Sequence, residues 1–341
     1  MSSSHVPDLR TRYLGLELRS PLVASASPAT GTVDGMVRLE AAGAAAVVLP
    51  SLFEEQLTHD QVEVQAYLDA GSESFGEALS FVPEVTDYNT GPERYLGLLG
   101  EARERLSIPV IASLNGTTLG GWAHYAHLCE QAGADALELN EYLLAADPSD
   151  SPDVVEGRYL ELVEAVVASV DIPVAVKLSP YFTSFGHLAR RLVDAGASGL
   201  VLFNRFTRLD VDLDTLELHL PVDLSTPQAL GLPLRWTGML FSSVDASLAV
   251  SGGVHSGLDA AKALLVGADV AMTTSAVLKG GAAALTGIEA ELTEWLTEHE
   301  YESVAQLRGS VSRARVPDPS VYERANYVHS LTRYASRFQP R

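Results

Sequence analysis

The segment Ala42-Gly43-Ala44, which runs on into AAVVLPS over residues 45–51, joins a helical pattern to a short apolar strand. The same unit returns at Ala132-Gly133-Ala134, Ala195-Gly196-Ala197 and Val266-Gly267-Ala268, before the runs ALELNE, GLVLFN and VAMTTS. Glycine suits the left-handed conformation that ends many helices, and the small alanines let the next strand pack closely. This repeated unit predicts a parallel sheet with helices outside, whose sites lie at the carboxyl ends of the strands.

Short apolar runs predict eight strands, and helical patterns fill most of the intervals between them. The predicted strands are Pro21–Ser27, Ala45–Ser51, Val110–Asn115, Ala136–Glu141, Val174–Ser179, Gly199–Asn204, Leu248–Gly253 and Val270–Ser275. The predicted helices are Met36–Ala42, Pro92–Leu106, Gly120–Gln131, Arg158–Ser169, Phe185–Asp194, Gly257–Val266 and Ala282–Glu298. This alternation favours an α/β fold of the (β/α)8 TIM-barrel type over a doubly wound sheet. No G-x-G-x-x-G motif follows the first predicted strand, which also weighs against a dinucleotide fold.

The domain organisation is predicted to be simple. The length of 341 residues allows one large barrel or two ordinary domains. Because the chain has no linker-like or low-complexity segment, we interpret residues 1–341 as a single TIM-barrel domain. Long loops are predicted at residues 53–92 and 207–247, and such loops usually form lids, binding walls or subunit contacts. The tail over residues 316–341 is predicted to be helical and to pack on the barrel or on a neighbouring subunit.

Composition narrows the classes of partner and the location. The 23 basic residues against 44 acidic residues give a net charge of −21, which argues against nucleic acid and anionic membrane as partners. No apolar run approaches the roughly 20 residues that span a bilayer, and the start of the sequence lacks a signal-peptide core. We therefore expect a cytoplasmic protein. The single cysteine, Cys129, excludes an internal disulfide and a cysteine-ligated metal cluster, and we predict no metal site.

The seventh and eighth predicted strands end in small and hydroxyl-bearing residues. These are Ser251-Gly252-Gly253 and Thr273-Thr274-Ser275. In barrels, the loops after these two strands often bind phosphate through backbone N–H groups and a nearby helix N-terminus. A Gly-Gly turn alone is weak evidence of a phosphate site. Here, however, the Gly-Gly turn and the Thr-Thr-Ser segment both fall at predicted strand ends. We predict a phosphate site formed by Gly252, Gly253, Thr274 and Ser275.

Lys177 and several asparagines also fall at predicted strand ends. A lysine within an apolar strand is costly to bury unless it meets an anion, so we assign Lys177 to the catalytic face rather than to the barrel rim. Asn115, Asn140 and Asn204 end the third, fourth and sixth predicted strands, and Asn89 lies in the long loop. Carboxamides both donate and accept hydrogen bonds, which suits an imide-like substrate or the edge of a flavin. We assign Asn115 to the cofactor.

Together these residues resemble the dihydroorotate dehydrogenase family of FMN-dependent barrels, over about nine-tenths of the chain in motif order. RTRYLGLELRSPLVASAS at residues 10–27 looks like the family's N-terminal hairpin and first strand. ALELN at 136–140 and VAVKLSPYF at 174–182 match its fourth and fifth strands, while SGGV and TTSA match its two phosphate turns. The resemblance implies an FMN-dependent oxidoreductase of CH–CH groups that converts dihydroorotate to orotate in pyrimidine biosynthesis.

The resemblance also implies roles for individual residues. Ser25 lies where small residues pass near the flavin, and the four residues of the two turns surround its phosphate. Lys177 is placed at the pyrimidine end of the flavin ring, where it stabilises the anionic reduced form. Asn89, Asn140 and Asn204 fall where the family holds the carboxylate and amide edges of the substrate.

The sequence departs from the family at the points of chemistry. A cysteine or serine base follows the fourth-strand asparagine in the family, whereas the matching position here is Leu143. Where the family has a lysine in its second strand, this chain has Pro50. The residue after the sixth-strand asparagine is small in the family, whereas here it is Arg205. We assign Tyr142 as the catalytic proton acceptor in preference to Glu141, because strand alternation points Tyr142 inward with Asn140. Arg205 is predicted to bind a substrate carboxylate bidentately.

Other residues and functions stay open at this stage. Thr183 or Ser184 could replace Tyr142 as the hydroxyl that handles the proton, and Tyr142 could instead be an aromatic lid over the flavin. A second hypothesis keeps the flavin but assigns another cyclic or unsaturated substrate. The family's catalytic base and its second-strand lysine are both replaced here, which is what a change of substrate would produce. A third is a flavin-free phosphate-binding barrel or a non-catalytic subunit, because phosphate turns occur in many barrels. The expected partners are a small-molecule substrate, an electron-acceptor protein and further copies of the chain in a homo-oligomer.

Overall fold

Eight parallel strands close into a barrel in the computed structural model, which describes residues 6–53, 91–116, 119–205, 207–221, 223–323, 327 and 331–332. The strands, labelled β1 to β8, are Leu22–Ala24, Ala46–Val48, Val110–Asn115, Ala136–Asn140, Val174–Leu178, Gly199–Leu202, Ser247–Ser251 and Val270–Thr273. Each strand pairs in parallel with the next, and β8 pairs with β1. A short strand, Leu52–Phe53, pairs along β3 beyond the end of β2. The predicted (β/α)8 barrel is confirmed.

A helix follows each barrel strand. In chain order, α1 to α8 are Val33–Ala41, Pro92–Arg105, Leu119–Gln131, Pro152–Val167, Phe185–Asp194, Gly231–Leu240, Gly257–Val266 and Ala283–Glu298. Two of them differ most from the prediction. Helix α4 begins six residues before Arg158, because Ser151 caps it by accepting the N–H of Val154 and Pro152 occupies the first helical position. Helix α6 lies within the interval predicted as a long loop, where Pro233 falls in the first helical turn and so removes no helical hydrogen bond.

The glycines of the repeated unit end helices as predicted. Gly43, Gly133, Gly196 and Gly267 have φ angles of 120°, 98°, 103° and 122°, in the left-handed region that side-chain-bearing residues rarely adopt. At Gly267 a Cβ atom would come within 2.4 Å of the Phe241 ring. The repeat therefore reflects both the backbone turn and the close packing that follows it.

Strand alternation divides the core into two layers. Side chains on one side of each strand pack against the helices, while the other side fills the barrel interior with small residues such as Ala46, Ala136, Ala175 and Ala249. An antiparallel hairpin of Thr11–Tyr13 and Leu16–Leu18, predicted from the family resemblance, packs its apolar residues into this interior cluster. Because the small side chains leave space within the barrel, hairpin and strands form one apolar layer below the carboxyl ends of the strands.

The segment between β6 and α6 carries a second hairpin, of Asp210–Val211 and Leu218–His219. It ends in a 3₁₀ helix, Pro227–Leu230, which leads directly into α6. Of the predicted loop 53–92, residues 54–90 lie outside the described residues. The described part of the tail contains a 3₁₀ helix, Pro319–Tyr322, whose tyrosine ring fills the space above Gly238 of α6. This part of the tail packs on the barrel.

Candidate active site

A cavity of about 650 Å³ lies at the carboxyl ends of the strands. Nine of the residues predicted for the site line it, and they come from six different strand ends or the loops that follow them. They are Ser25, Asn140, Lys177, Asn204, Arg205, Gly252, Gly253, Thr274 and Ser275. Because these positions span residues 25 to 275, barrel closure is what brings them together.

Two predicted residues lie outside the set that lines the cavity, and a third lies outside the described residues. Asn115 is half-buried at the end of β3 but is not among the residues that line the cavity. Tyr142 also lies outside the lining set, and its hydroxyl is 2.9 Å from Thr207 Oγ1 and accepts the N–H of Thr207 at 3.2 Å. Asn89 lies outside the described residues. The cofactor role of Asn115, the catalytic role of Tyr142 and the substrate role of Asn89 stay predictions.

Lys177 meets its anion inside the barrel. Its Nζ donates to Glu138 Oε1 at 3.2 Å, and the side chains of Lys177 and Glu138 are 9% and 1% exposed. The register explains the contact, because Asn140 pairs with Lys177 and Glu138 lies two residues earlier on the same side of β4. Glu138 was missed by sequence reasoning. The same alternation that placed Asn140 inward was the signal that could have found it.

A chain of hydrogen bonds joins the strand-end amides. Asn204 Nδ2 donates to Asn140 Oδ1 at 2.6 Å, and Asn140 Nδ2 donates to Ser51 Oγ at 3.3 Å. The Ser51 hydroxyl is in turn 2.8 Å from that of Ser113. Each amide still has donor or acceptor capacity beyond these bonds. The chain therefore holds two carboxamides in fixed orientations at the cavity wall and leaves groups that can pair with a ligand.

The glycines after β7 form a tight turn against the start of α6. Gly252 and Gly253 have φ angles of 91° and 85°. A Cβ at Gly253 would lie 2.4 Å from the backbone nitrogen of Leu230, whereas a Cβ at Gly252 would meet nothing within 4 Å. Gly253 is thus required for packing, while Gly252 keeps a side chain out of the cavity.

Ser225 links these turns to the β6–α6 segment. Its hydroxyl donates to Ser275 Oγ at 2.8 Å and accepts the N–H of Gly253 at 3.3 Å, and its own N–H donates to Ser275 Oγ at 2.9 Å. The His255 ring nitrogen Nε2 lies 3.3 Å from the same hydroxyl. These bonds hold the Ser275 hydroxyl, whose proton they leave unused, beside the Gly252–Gly253 turn at the cavity. The sequence carried no signal for Ser225, because it lies in a segment with no strand or helix pattern.

The charges that line the cavity are opposite in sign to those of the chain as a whole. Lys177, Arg205 and Arg208 line it together with one carboxylate, that of Asp223, which pairs with Arg208 at 3.3 Å. The whole chain carries a net charge of −21. Because Lys177 is paired with Glu138 and Arg208 with Asp223, Arg205 supplies most of the positive charge that would attract an anionic ligand to the cavity.

The loop after Asn140 presents no acid to the cavity lining. Leu143, at the position of the family's base, packs against the hydrophobic core. Glu141 is buried outside the cavity lining, its carboxylate oxygens have no hydrogen-bond partner among the described residues, and burial raises its pKa to about 9. Burial, together with the nearby Glu141 carboxylate, also raises the pKa of Tyr159. The observed burial of Glu141 away from the lining agrees with the alternation expected from Asn140.

Comparison with known proteins identifies the family. The family model described as dihydroorotate dehydrogenase matches residues 88–296, which is more than half of the chain. The chain belongs to the dihydroorotate dehydrogenase family. Like the dehydrogenases that it resembles, it is an oxidoreductase that acts on CH–CH bonds.

Individual relatives are similar at modest identity. The catalytic subunit of dihydroorotate dehydrogenase B (NAD(+)) from Geobacter sp. (strain M21) is 29% identical over 61% of this chain and 70% of its own length. The subunit of the same name from Endomicrobium trichonymphae is 25% identical over 91% of this chain and 99% of its own. Dihydropyrimidine dehydrogenase (NADP(+)), chloroplastic, from Arabidopsis thaliana is 25% identical over 89% of this chain and 76% of its own length.

Two features are absent from the described residues. None of the helices in those ranges has the length and apolar character required to cross a bilayer. Likewise, in the described part of the chain no three side chains of histidine, cysteine, aspartate or glutamate cluster as metal ligands would.

Proposed function

We propose that the cavity binds FMN and that the protein oxidises a small cyclic substrate with a carboxylate and an amide edge, for which dihydroorotate is the first candidate. One observation carries the proposal. The Asn140–Asn204 amide pair and the cations Lys177 and Arg205 line the same cavity as the Gly252–Gly253 turn. This combination offers separate places for a phosphate, a ring system and a carboxylate.

The residues present fit the cofactor. Its phosphate is dianionic, and the Ser275 hydroxyl, which only accepts in its bonds with Ser225, can donate to it beside the open face of Gly252, where no side chain is in the way. Lys177, fixed by Glu138, supplies a buried cation for the electron-accepting ring. When bound, FMN supplies the hydride acceptor, which none of the protein's own side chains can provide.

The remaining groups bind and orient the substrate. Carboxamides at Asn140 and Asn204 can pair with the alternating N–H and C=O groups of an imide. The Arg205 guanidinium, exposed at the cavity wall, can bind a carboxylate through two parallel hydrogen bonds. Together they hold the carbon that loses hydride in a defined orientation.

The proton released in the oxidation needs an acceptor. Leu143 cannot serve, and Tyr142 is our proposed acceptor, with Thr183 and Ser184 as alternatives. The Thr207 N–H that donates to the Tyr142 oxygen would stabilise negative charge there. For Tyr142 to act, its ring must turn toward the substrate, because its hydroxyl is bound to Thr207 outside the cavity lining.

A second candidate substrate is a dihydropyrimidine without a carboxylate or another unsaturated compound. The observation that favours it is the core packing of Leu143, which leaves no proton-accepting side chain at the family's position. One of the relatives is named as a dihydropyrimidine dehydrogenase. Arg205 separates the two candidates, because it has a role only where the substrate carries an anion.

An anaerobic stopped-flow experiment tests the proposal. The FMN-loaded protein is mixed with dihydroorotate or with dihydrouracil, which lacks the carboxylate, and the flavin absorbance is followed. Bleaching by dihydroorotate on a timescale of roughly a second or faster supports the first candidate, and Arg205→Met should slow that reaction while leaving retention of FMN unchanged.

The other results each reject part of the proposal. Bleaching by dihydrouracil alone favours the second candidate. No bleaching by either compound, with flavin present, assigns the site to another substrate. A colourless protein whose added FMN shows no spectral change would instead favour a flavin-free barrel.

The electron acceptor is proposed to be a soluble compound or a partner protein. The two bacterial relatives are named catalytic subunits, which for those proteins indicates assembly with other chains. Location in the cytoplasm stays a prediction from the sequence.

A further inference from the structure

The barrel interior holds two buried polar atoms that lack partners. The Tyr13 side chain is 1% exposed, and its hydroxyl has no hydrogen-bond partner among the described residues. The same is true of Glu138 Oε2, whereas the other oxygen of that carboxylate accepts from Lys177. A buried polar atom without a partner destabilises a protein, and in folded proteins nearly all such atoms bond to protein groups or to ordered water.

Strand register places the N-terminal hairpin on the level of Glu138. One row of register partners runs round the inner side of the barrel, through Glu138, Ala175, Gly199 and Ser247. The N–H of Leu14, in the turn of the hairpin, donates to Ser247 Oγ at 2.9 Å. Because Tyr13 directly precedes Leu14, its side chain enters the barrel beside this row.

Close packing fixes the hairpin at this level. A Cβ atom at Gly199 would lie 2.5 Å from Leu14 Cδ2, so the missing side chain at Gly199 is what admits the turn. The Tyr13 ring packs in the same interior apolar cluster as Ala175, the register partner of Glu138. The tyrosine and the glutamate therefore share one small, closed region of the barrel.

The two atoms without partners are complementary. Burial and the charge of the Glu138 carboxylate raise the pKa of the Tyr13 hydroxyl, which keeps its proton and lacks an acceptor. Glu138 Oε2 lacks a donor. The two atoms are not bonded to one another, because neither has a partner within hydrogen-bond distance. A water molecule can accept from the hydroxyl and donate to the carboxylate, and the small side chains of Ala136 and Ala175 leave space for it.

We propose that a buried water molecule joins the Tyr13 hydroxyl to Glu138 Oε2, and that Tyr13 acts through it as a positioning residue for Lys177. Both oxygens of Glu138 are then hydrogen-bonded. A donor on the second oxygen stabilises the carboxylate and weakens its attraction for the ammonium. Lys177 has three N–H donors, of which Glu138 accepts one, so the others stay directed to the cavity that the lysine lines.

The two parts of the proposal differ in what they depend on. The link between Tyr13 and Glu138 concerns the protein alone. Its effect on Lys177 rests on the proposed function, because that effect is felt by a flavin ring in the cavity. Unfolding of the flavin-free full chain tests the first part, and the midpoint potential of bound FMN tests the second.

Thermal unfolding tests the link through Tyr13→Phe, which removes the hydroxyl and keeps the ring. We expect the Tm to fall by about 2 °C, because the water loses a partner and the carboxylate is less well solvated. The background Glu138→Leu/Lys177→Met replaces the ion pair by apolar side chains, which proteins often tolerate. In that background Tyr13→Phe should not lower the Tm, because the carboxylate that the water served is gone.

The matched control makes the same change at another buried tyrosine. The Tyr95 hydroxyl donates to the carbonyl oxygen of Ser113 at 3.0 Å and accepts the Ser113 N–H at 2.7 Å. Tyr95→Phe should therefore lower the Tm equally in both backgrounds. A rise in Tm with Tyr13→Phe would show that the Tyr13 hydroxyl is unpaired in the folded protein and would overturn the link. An equal loss in the two backgrounds would overturn it as well, because another group would then be the partner.

A high-resolution crystal structure of the full chain gives a direct second test. We expect an ordered solvent molecule at about 3 Å from both the Tyr13 hydroxyl and Glu138 Oε2. A structure without solvent between the two atoms would overturn the link even if the double variant does not fold.

The midpoint potential of bound FMN tests the positioning role. Tyr13→Phe should shift it to a more negative value, because Lys177 is drawn toward Glu138 and stabilises negative charge on the reduced ring less. Tyr322→Phe, whose hydroxyl bonds to the Val311 carbonyl outside the barrel, is the control and should leave the potential unchanged. An unchanged potential in Tyr13→Phe would overturn the positioning role. A wild type that takes up no FMN would overturn the proposed function and that role together, while the unfolding data decide the link.

Discussion

Lys177 Nζ lies 3.2 Å from Glu138 Oε1 inside the barrel, on neighbouring strands whose register brings Asn140 beside Lys177. The lysine side chain is 9% exposed and that of the glutamate 1%. The second carboxylate oxygen of Glu138 has no hydrogen-bond partner among the described residues, so the ammonium is its principal compensation. The pair holds one buried cation at the cavity in a defined position.

Removing either member of this pair should destabilise the fold more than removing both. Glu138→Gln or Lys177→Met alone leaves an uncompensated buried charge, for which we expect a loss of about 3–5 kcal/mol in the free energy of unfolding. The double variant should lose clearly less than the sum of the two. Urea unfolding of the four proteins measures the coupling. Additive losses would show that the two groups do not stabilise one another.

The charge of Lys177 should matter for flavin reduction more than for flavin retention. We compare the double variant Glu138→Gln/Lys177→Met with Glu138→Gln. Unlike Lys177→Met alone, the double variant does not leave the buried Glu138 carboxylate without its cation. We expect it to retain FMN through gel filtration, since the phosphate turns are intact, and to reduce it at least about 100-fold more slowly with an active substrate. Reduction at the rate of Glu138→Gln would refute the role of Lys177.

The two glycines after β7 should respond differently to substitution. Gly252→Val places a branched side chain in open space at the cavity, so we expect a folded protein that no longer holds FMN. Gly252→Ala is the matched control, because it places a side chain at the same positive φ but adds only a methyl group to the cavity. Gly253→Ala should lower the unfolding free energy by about 1–3 kcal/mol, because its Cβ meets the backbone of Leu230. Flavin content and thermal unfolding separate these effects. Normal FMN binding in Gly252→Val would place the phosphate elsewhere.

Glu141 should make the protein less stable as the pH rises. Burial raises its pKa from 4.5 to about 9, so in this range the folded state holds a proton that the unfolded state has lost. The stability is therefore fully present below about pH 4.5 and decreases up to about pH 9. Glu141→Gln, which resembles the protonated acid, should be more stable than wild type by about 3 kcal/mol at pH 7 and by little at pH 4.

Unfolding measured across this pH range checks the expectation. Glu161→Gln on the exposed face of α4 is the control and should leave the pH profile unchanged. Equal slopes for wild type and Glu141→Gln would mean that Glu141 is ionised in the folded protein.

Local patterns predicted most of the architecture. Helices α5 and α7 have the bounds predicted from sequence, because their apolar periodicity and end residues are local signals. Helix α6 was missed because glycine and proline in its first turn resemble a loop. The hairpin of Asp210–Val211 and Leu218–His219 was part of the same predicted loop, because two-residue strands carry too short an alternation to be distinguished from an irregular acidic segment.

In the candidate site, local sequence is sufficient to place Lys177, the strand-end asparagines and the Gly252–Gly253 turn at strand ends, because strand position and side-chain alternation are properties of a few consecutive residues. Which of these residues contact one another is a property of the folded barrel. The contacts of Asn204 with Asn140, Lys177 with Glu138 and Ser225 with Ser275 join residues that are 64, 39 and 50 positions apart. These contacts depend on strand register and on closure of the barrel, which no local pattern specifies.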